Sequence, residues 1–363
     1  MRVSCLQENL NRALSIVNKA VKERTPLPIT KCILLSAEGN RLKLTATNLE
    51  ITISCQIPVE LEDAGQACIP AREFSNLIET FPNDVVYLQT LPKNRLSIEC
   101  SNSKNKLAGM SVDDFPPSLQ VSGTQFELAA KDLRLALSRV IIAASGEETR
   151  PVLSGVEVKV GQDLSLAAAD GFQLAVEKIA SISIDKGVEI IIPSSALGEL
   201  NKLLGGEEEK VLVTIGEGRV HFALDNVEMQ TQLLTGSFPK YQGLLGQDFN
   251  TRAEVKSSDF LRATRRAAIV TKGRIGNITL SVKEGGIVIS ASSSKIGDSE
   301  NEVGAELYGQ PLVLSLNSKY LIKVLSAIGA EKVMFCGNDP NKAIYIIPIE
   351  SGDYTYVLMP MVR

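Results

Sequence analysis

Residues able to do chemistry are few in this chain, and none stands where a partner could use it. The single histidine, His221, lies in the alternating segment "GRVHFAL", where a packing role outweighs that of a base. Asp113 and Asp114 in "SVDDFPP" have the types of a carboxylate pair, but two prolines follow at once and make the segment an acidic loop. "GEGRVH" has two glycines of a dinucleotide fingerprint and lacks the third, so it reads as a hairpin turn, and no phosphate-cradling G-x-x-x-x-G-K-[ST] is present. Cys5, Cys32, Cys55, Cys68, Cys100 and Cys336 include no C-x-x-C pair, which removes metal and redox spacing and leaves reduced thiols of a cytoplasmic protein. No catalytic set, metal site or cofactor is expected, and the chain does not read as an enzyme.

The elements that would position any site carry a repeat instead. Three segments join an apolar strand end to an amphipathic helix: "CIPAREFSNLIETF", "IIPSSALGELNKLL" and "SLNSKYLIKVLSAIG". Pro70, Pro193 and Asn317 fall at the matching place, 123 and 124 residues apart. A second landmark, the strand-to-turn positions Thr47, Ala169 and Ser292, recurs at 122 and 123. Two landmarks with one period predict three α+β domains, 1–122, 123–247 and 248–363, each with two helices on antiparallel sheets. Length of 363 residues and 44% apolar content fit such a globular chain. No run of about 18 apolar residues exists, so no membrane contact is expected, and the N-terminus has no apolar export segment.

Charge divides by element. Helices predicted over 8–24, 71–82, 131–145, 194–204, 257–274 and 318–329 hold 16 Lys and Arg against 7 Asp and Glu, a net of +9 in a chain of net −4. Everything else therefore carries −13. On "SSDFLRATRRAAIVTKGR" the wheel places Arg262, Arg265 and Arg266 on one side and Phe260, Ala263, Thr264 and Ala267 on the other. Solvated helix faces are the ordinary meaning of such residues. The segregated total favours a shared surface that follows a phosphate backbone without reading bases. Low aromatic content, 5% with no Trp, argues against stacking on single strands.

Five local stretches then carry a resemblance: "RTPLPI", "AADGFQLAV", "GSFPKYQGLL", "RAAIV" and the ending "YTYVLMPMVR". The chain resembles the bacterial sliding clamps, the beta subunits of DNA polymerase III, over all three repeats. The resemblance implies a processivity factor, two chains joined head to tail as a ring around double-stranded DNA. A monomeric, non-encircling DNA-binding scaffold is the alternative. Helices side by side sit about 10 Å apart, so six leave a hole of about 10 Å and twelve one of about 28 Å. One chain is too small to surround a duplex with its helices; two suffice. The implied partners are the polymerase III catalytic subunit, the clamp loader, and other polymerases and repair proteins bearing short peptides.

Candidate DNA contacts are Arg24, Arg72, Lys131, Arg134, Lys202, Arg262, Arg265, Lys319 and Lys323. The seam implied by the resemblance sets Lys104, Lys106 and Leu107 against Glu300 and Glu302, with Ile269 and Val270 behind; "DSENEV" also reads as a plain acidic loop. Carried over, the peptide pocket takes Leu153, Ala169, Gly171, Phe172, Gln173 and Leu174, then Pro239, Gly243 and Leu244. It is completed by Ile275, Asn317, Tyr320, Ala343, Val357, Leu358, Met359, Pro360 and Met361. "YVLMPM" reads equally as a last core strand. The family usually has His-Arg where Phe172 and Gln173 stand, and often Arg at Gly243. Loss of those cations implies a more apolar pocket and weaker preference for acidic peptide ends.

Overall fold

The computed structural model describes the chain except for positions 23, 148–149, 180–183, 185–186, 207–208, 272–275, 352 and 362–363. One order of elements is traversed three times, with one additional strand, β5, in the first pass. The first pass is β1 (Arg2–Leu6), α1 (Gln7–Val17), β2 (Cys32–Glu38), β3 (Arg41–Thr47), β4 (Ile51–Pro58), β5 (Glu60–Asp63), β6 (Gly65–Pro70), α2 (Ala71–Glu79), β7 (Val85–Leu91), β8 (Arg95–Cys100) and β9 (Ser103–Ala108). The second is β10 (Thr124–Ala129), α3 (Ala130–Val140), β11 (Gly155–Val160), β12 (Leu164–Ala169), β13 (Gln173–Ile179), β14 (Val188–Pro193), α4 (Ser194–Leu203), β15 (Lys210–Ile215), β16 (Arg219–Ala223) and β17 (Val227–Gln232). The third is β18 (Thr251–Lys256), α5 (Ser257–Val270), β19 (Asn277–Lys283), β20 (Gly286–Ser293), β21 (Gly297–Gly309), β22 (Leu312–Asn317), α6 (Ser318–Ala327), β23 (Lys332–Gly337), β24 (Ile344–Pro348) and β25 (Tyr354–Leu358). Pro70, Pro193 and Asn317 each end a strand and directly precede a helix, and Thr47 and Ala169 each end one.

The helices form where apolar residues recur every three or four positions. In α1 these are Leu10, Ala13, Leu14 and Val17, and in α5 Phe260, Ala263, Thr264 and Ala267, all buried. Asn317 caps α6 by accepting the Lys319 amide at 3.0 Å. The helices are shorter than the sequence suggests. α1 tightens into a 3-10 turn at Asn18–Ala20, and Val21 is already extended on the way to Pro26 and Pro28. Within the observed bounds the six α-helices hold 11 Lys and Arg against 6 Asp and Glu, a net of +5. The +9 expectation is corrected accordingly: Lys19, Lys22 and Arg24 follow α1, and Lys272 and Arg274 lie outside the described residues.

The chain makes two compact units that cut across the second repeat. One, Met1–Lys131 with Lys202–Leu233, holds the sheets β5-β1-β7-β8-β9 and β10-β15-β16-β17-β4-β3-β2-β6. The other, Asp132–Asn201 with Leu234–Arg363, holds the twelve-stranded order β14-β11-β12-β13-β25-β24-β23-β18-β21-β20-β19-β22. The division follows one pairing rule. β17 lies antiparallel on β4, with Val227 opposite Cys55, and β25 lies antiparallel on β13, with Leu358 opposite Gln173. The second and third repeats thus each give their last strand to the corresponding strand of the repeat before.

Candidate functional site

The most elaborated surface lies in the second unit, where β12 turns into β13. Asp170 Oδ1 accepts the amides of Phe172 at 2.8 Å and Gln173 at 3.0 Å, closing an Asx turn in which Gly171 takes φ +96°. The turn pushes Phe172 outward to 63% exposure. Its carbonyl accepts the Met359 amide at 2.8 Å, and the Ser315 carbonyl accepts that of Met361 at the same distance, so the tail after β25 is held on both sides. Burial, and then the charge of Asp170 beside it, raise the pKa of the Tyr320 phenol on α6.

Beneath this rim lies an apolar floor. Leu153, Leu174 and Val357 are buried in one cluster with Ile191, Phe238, Tyr241, Cys336 and Tyr345, against which Ala169 and Ala343 pack. Leu244 is 42% exposed on a 3-10 turn, Gln242–Leu244, that hangs from buried Tyr241. Pro239 and Gly243 are exposed beside it, and nothing stands within 4 Å of a Cβ added at Gly243. Met359 is 43% exposed, Pro360 buried and Met361 half-buried. Such a surface offers apolar side chains and backbone groups to an extended chain and has no nucleophile.

Two pocket expectations need correction. Gln173 faces inward at 4% exposure, because its amide donates to Asp170 Oδ2 at 2.8 Å and to the Ile142 carbonyl at 3.4 Å, and its carbonyl accepts the Tyr356 hydroxyl. Leu358 is fully buried as a strand residue opposite Gln173 and Ile344. Both support the rim from behind. Asn317 is spent on its cap, and Ile275 lies outside the described residues. Sequence reasoning missed Asp170, Phe238, Tyr241 and Tyr345; only Asp170 had a local signal, the Asp-Gly pair of an Asx turn.

Several strands leave an edge unpaired, β9 and half of β21 among them. β9 ends its sheet and pairs only with β8, and Lys104 and Lys106 on it are exposed while Leu107 is half-buried. In the other unit β21 spans 13 residues; Gly297–Gly304 pair with β20 alone, and the rest turns to β18. Glu300 and Glu302 project from that half, and Ile269 on α5 is 64% exposed with Val270 half-buried beside it. Some of this charge has a partner within the chain: Lys104 meets Glu99 at 2.6 Å, and Lys283 meets Glu302 at 3.2 Å.

All nine candidate DNA contacts are exposed. In the first unit these are Arg24, Arg72, Lys131 and Lys202, and Arg24 and Arg72 share a cleft of about 880 Å³ with Lys22 and Lys31. In the second, α5 packs on α6, and Arg265 reaches the Ser326 hydroxyl at 3.2 Å. Arg134, Arg262, Lys319 and Lys323 are also in this unit; Arg262 pairs with Asp259 and Lys323 lies 5.9 Å from the Tyr320 ring centroid. Arg266 turns to Asn301 of β21 at 2.6 Å, so the three arginines of α5 do not share one target. Arg139, counted with the basic helices, is buried against Glu177.

Catalytic groupings do not emerge. His221 stands in β16 opposite Thr214 and Gln230, and burial lowers its pKa. Among the described residues no three or more His, Cys, Asp or Glu gather as a metal site, and no helix is long and apolar enough to cross a membrane.

Three family profiles of the DNA polymerase III beta subunit match in order: the N-terminal domain over 1–120, the central domain over 127–240 and the C-terminal domain over 242–362. A beta sliding clamp of Synechococcus elongatus is 29% identical over 374 residues, covering 99% of both chains, and one of Staphylococcus aureus is 30% identical over 355 residues, covering 94% of both. A Pseudomonas aeruginosa sliding clamp solved with griselimycin superimposes at TM-score 0.95 with 26% identity, over 100% of both chains.

Proposed function

The chain belongs to the DNA polymerase III beta subunit family, and from that premise we propose how it works as a sliding clamp. It is a replication processivity factor, and its work is tethering. Two copies join head to tail into a closed ring of six repeats around double-stranded DNA, in the cytoplasm. The domains run 1–122, 123–247 and 248–363.

One observation carries this reading. The last strand of the second repeat sits on the first repeat, and that of the third on the second. The last strand of the first repeat, β9, has no repeat before it and keeps one free edge, as does the N-terminal half of β21, the matching acceptor. A second copy offers each edge its missing partner and removes both exposed edges. Charge agrees: Ser103–Ala108 carries two lysines, whereas 297–303 carries three acids.

Within the ring the basic residues follow phosphates without reading bases, so each contact is weak, salt-sensitive and compatible with sliding. The rim of Phe172, Leu244 and Met359 over its apolar floor docks short extended peptides from the polymerase catalytic subunit, the clamp loader and other polymerases or repair proteins. With Phe172 at the rim and open space at Gly243, apolar peptide side chains are favoured over acidic ends.

The test is topological. Protein loaded onto nicked circular DNA by its loader stays bound in high salt and is lost when the circle is cut. Equal retention on circular and linear DNA refutes encirclement, and a solution mass of one 39.1 kDa chain refutes the ring.

A further inference from the structure

The repeat dictates where an incoming strand should sit on the open half of β21. Met110, Leu234 and Met361 follow the last strand of each repeat, and their amides donate to the carbonyls of Cys68, Ile191 and Ser315 at 2.9, 2.8 and 2.8 Å. Those carbonyls each lie two residues before Pro70, Pro193 and Asn317, so the three amides are equivalent points. Three residues earlier stand Leu107, Thr231 and Leu358. Thr231 faces Ile51, and Leu358 faces Gln173. Ile51 and Gln173 directly precede Thr52 and Leu174, which pair with Thr47 and Ala169. The same place in the third repeat is Gly297, since Asp298 after it pairs with Ser292. Antiparallel pairing then sets Leu107 against Gly297, Lys106 against Asp298, Asn105 against Ser299 and Lys104 against Glu300. Asp298 and Glu300 form one wall of a cleft of about 690 Å³. Ser290, Thr279 and Ser315, in line with Glu300 across β20, β19 and β22, also line it.

We propose that β9 of a second copy closes the acidic wall of this cleft in that register, with Lys106 on Asp298 and Lys104 on Glu300, and that these four side chains select β21 among the open edges. The inference rests on the ring reading. In this register the exposed lysines meet exposed acids, and half-buried Asn105 meets half-buried Ser299. A slip of one residue would turn the lysines onto the other face. A slip of two sets Lys104 against Glu302, which Lys283 already holds at 3.2 Å, whereas Asp298 and Glu300 have no ion-pair partner among the described residues. The opposite slip leaves Lys106 against Ile296. At the two junctions within the chain no directly opposed pair joins a lysine or arginine to an acid. Covalent continuity chooses the partner there; between chains the surfaces must do it. β6 and β22 also end sheets and carry no charge. β5 is acidic but has four residues, and Arg2 holds its Glu62 at 3.1 Å.

The experiment uses the full-length chain with paired cysteine substitutions, copper phenanthroline as oxidant, and non-reducing electrophoresis with peptide mapping; the six native cysteines are buried. Asn105→Cys/Ser299→Cys should link two chains at least about tenfold faster than Asn105→Cys/Asn301→Cys, because opposed side chains lie about 5 Å apart and diagonal ones about 7–8 Å. Faster closure of the second pair overturns the register and leaves the ring standing. Closure of neither in a protein that sediments as a dimer overturns the pairing of β9 with β21. Sedimentation of the unsubstituted protein as one 39.1 kDa chain overturns the ring reading, and the register with it. If a cysteine variant fails to fold, charge reversal decides: Asp298→Lys should rescue the dimer lost in Lys106→Glu, and rescue by Glu300→Lys instead overturns the register.

Discussion

Replacing Arg139 by Leu should cost the second unit about 3–5 kcal/mol at pH 8, because it leaves a buried carboxyl without its cationic partner, to be held protonated against the solvent pH. Arg139 on α3 meets Glu177 of β13 with Nη1 at 3.0 and 3.3 Å from the two carboxylate oxygens, the side chains being only 4% and 6% exposed. Its Nε donates to the Ile328 carbonyl at 2.9 Å, and the guanidinium lies 5.3 Å from the Tyr354 ring centroid. Burial lifts Glu177 from its ordinary 4.5 to about 7 although Arg139 opposes the shift. Between those values the native state holds a proton that the unfolded state has released, so stability falls as pH rises through the window, by about 3 kcal/mol in all. Without Arg139 the carboxyl stays protonated to still higher pH. The cost of the substitution is therefore largest at pH 8 and shrinks toward pH 5, where Glu177 is neutral in either protein. Adding Glu177→Leu should recover most of the loss at pH 8. Urea unfolding followed by far-UV circular dichroism, at pH 5 and 8, reads all four proteins of the cycle. A double variant as unstable as Arg139→Leu, or a cost equal at both pH values, would refute the reasoning.

Phe172→Ala should leave thermal stability unchanged but weaken a docked peptide by about 2–3 kcal/mol, the worth of covering an exposed aromatic face; calorimetric titration checks it. Lys106→Glu should weaken the dimer about tenfold or more, and adding Asp298→Lys should restore it, as read by sedimentation. Removing Arg24 or Lys319 should lower DNA affinity equally on unrelated sequences and flatten the salt dependence by about 0.9 per phosphate lost.

The repeat was legible in the sequence because strand ends and helix starts need particular residues at fixed places: Pro70, Pro193 and Asn317 stand where expected. Helix ends were less so, since nothing local to Lys19 or Lys22 announces that the chain tightens at Asn18. Phe172 and Met359 lie exposed on the rim, but the inward turn of Gln173 was not legible, because it depends on Tyr356, 183 residues away, and on the Ile142 carbonyl. Summed helix charge could not show that Arg139 was buried, since Glu177 is 38 residues distant. What was missed in each case is a long-range partner.

The strand exchange between repeats has a kinetic consequence. β4 with β17 and β13 with β25 join parts of one polypeptide, so a junction that springs open faces its mate at an effective concentration on the order of millimolar, however scarce the protein. In the proposed ring the edges of β9 and β21 would lie on separate chains, with no such leash once both seams part. Dilution therefore acts only between chains, and any agent that must let DNA in gains most by prying where covalent continuity stops.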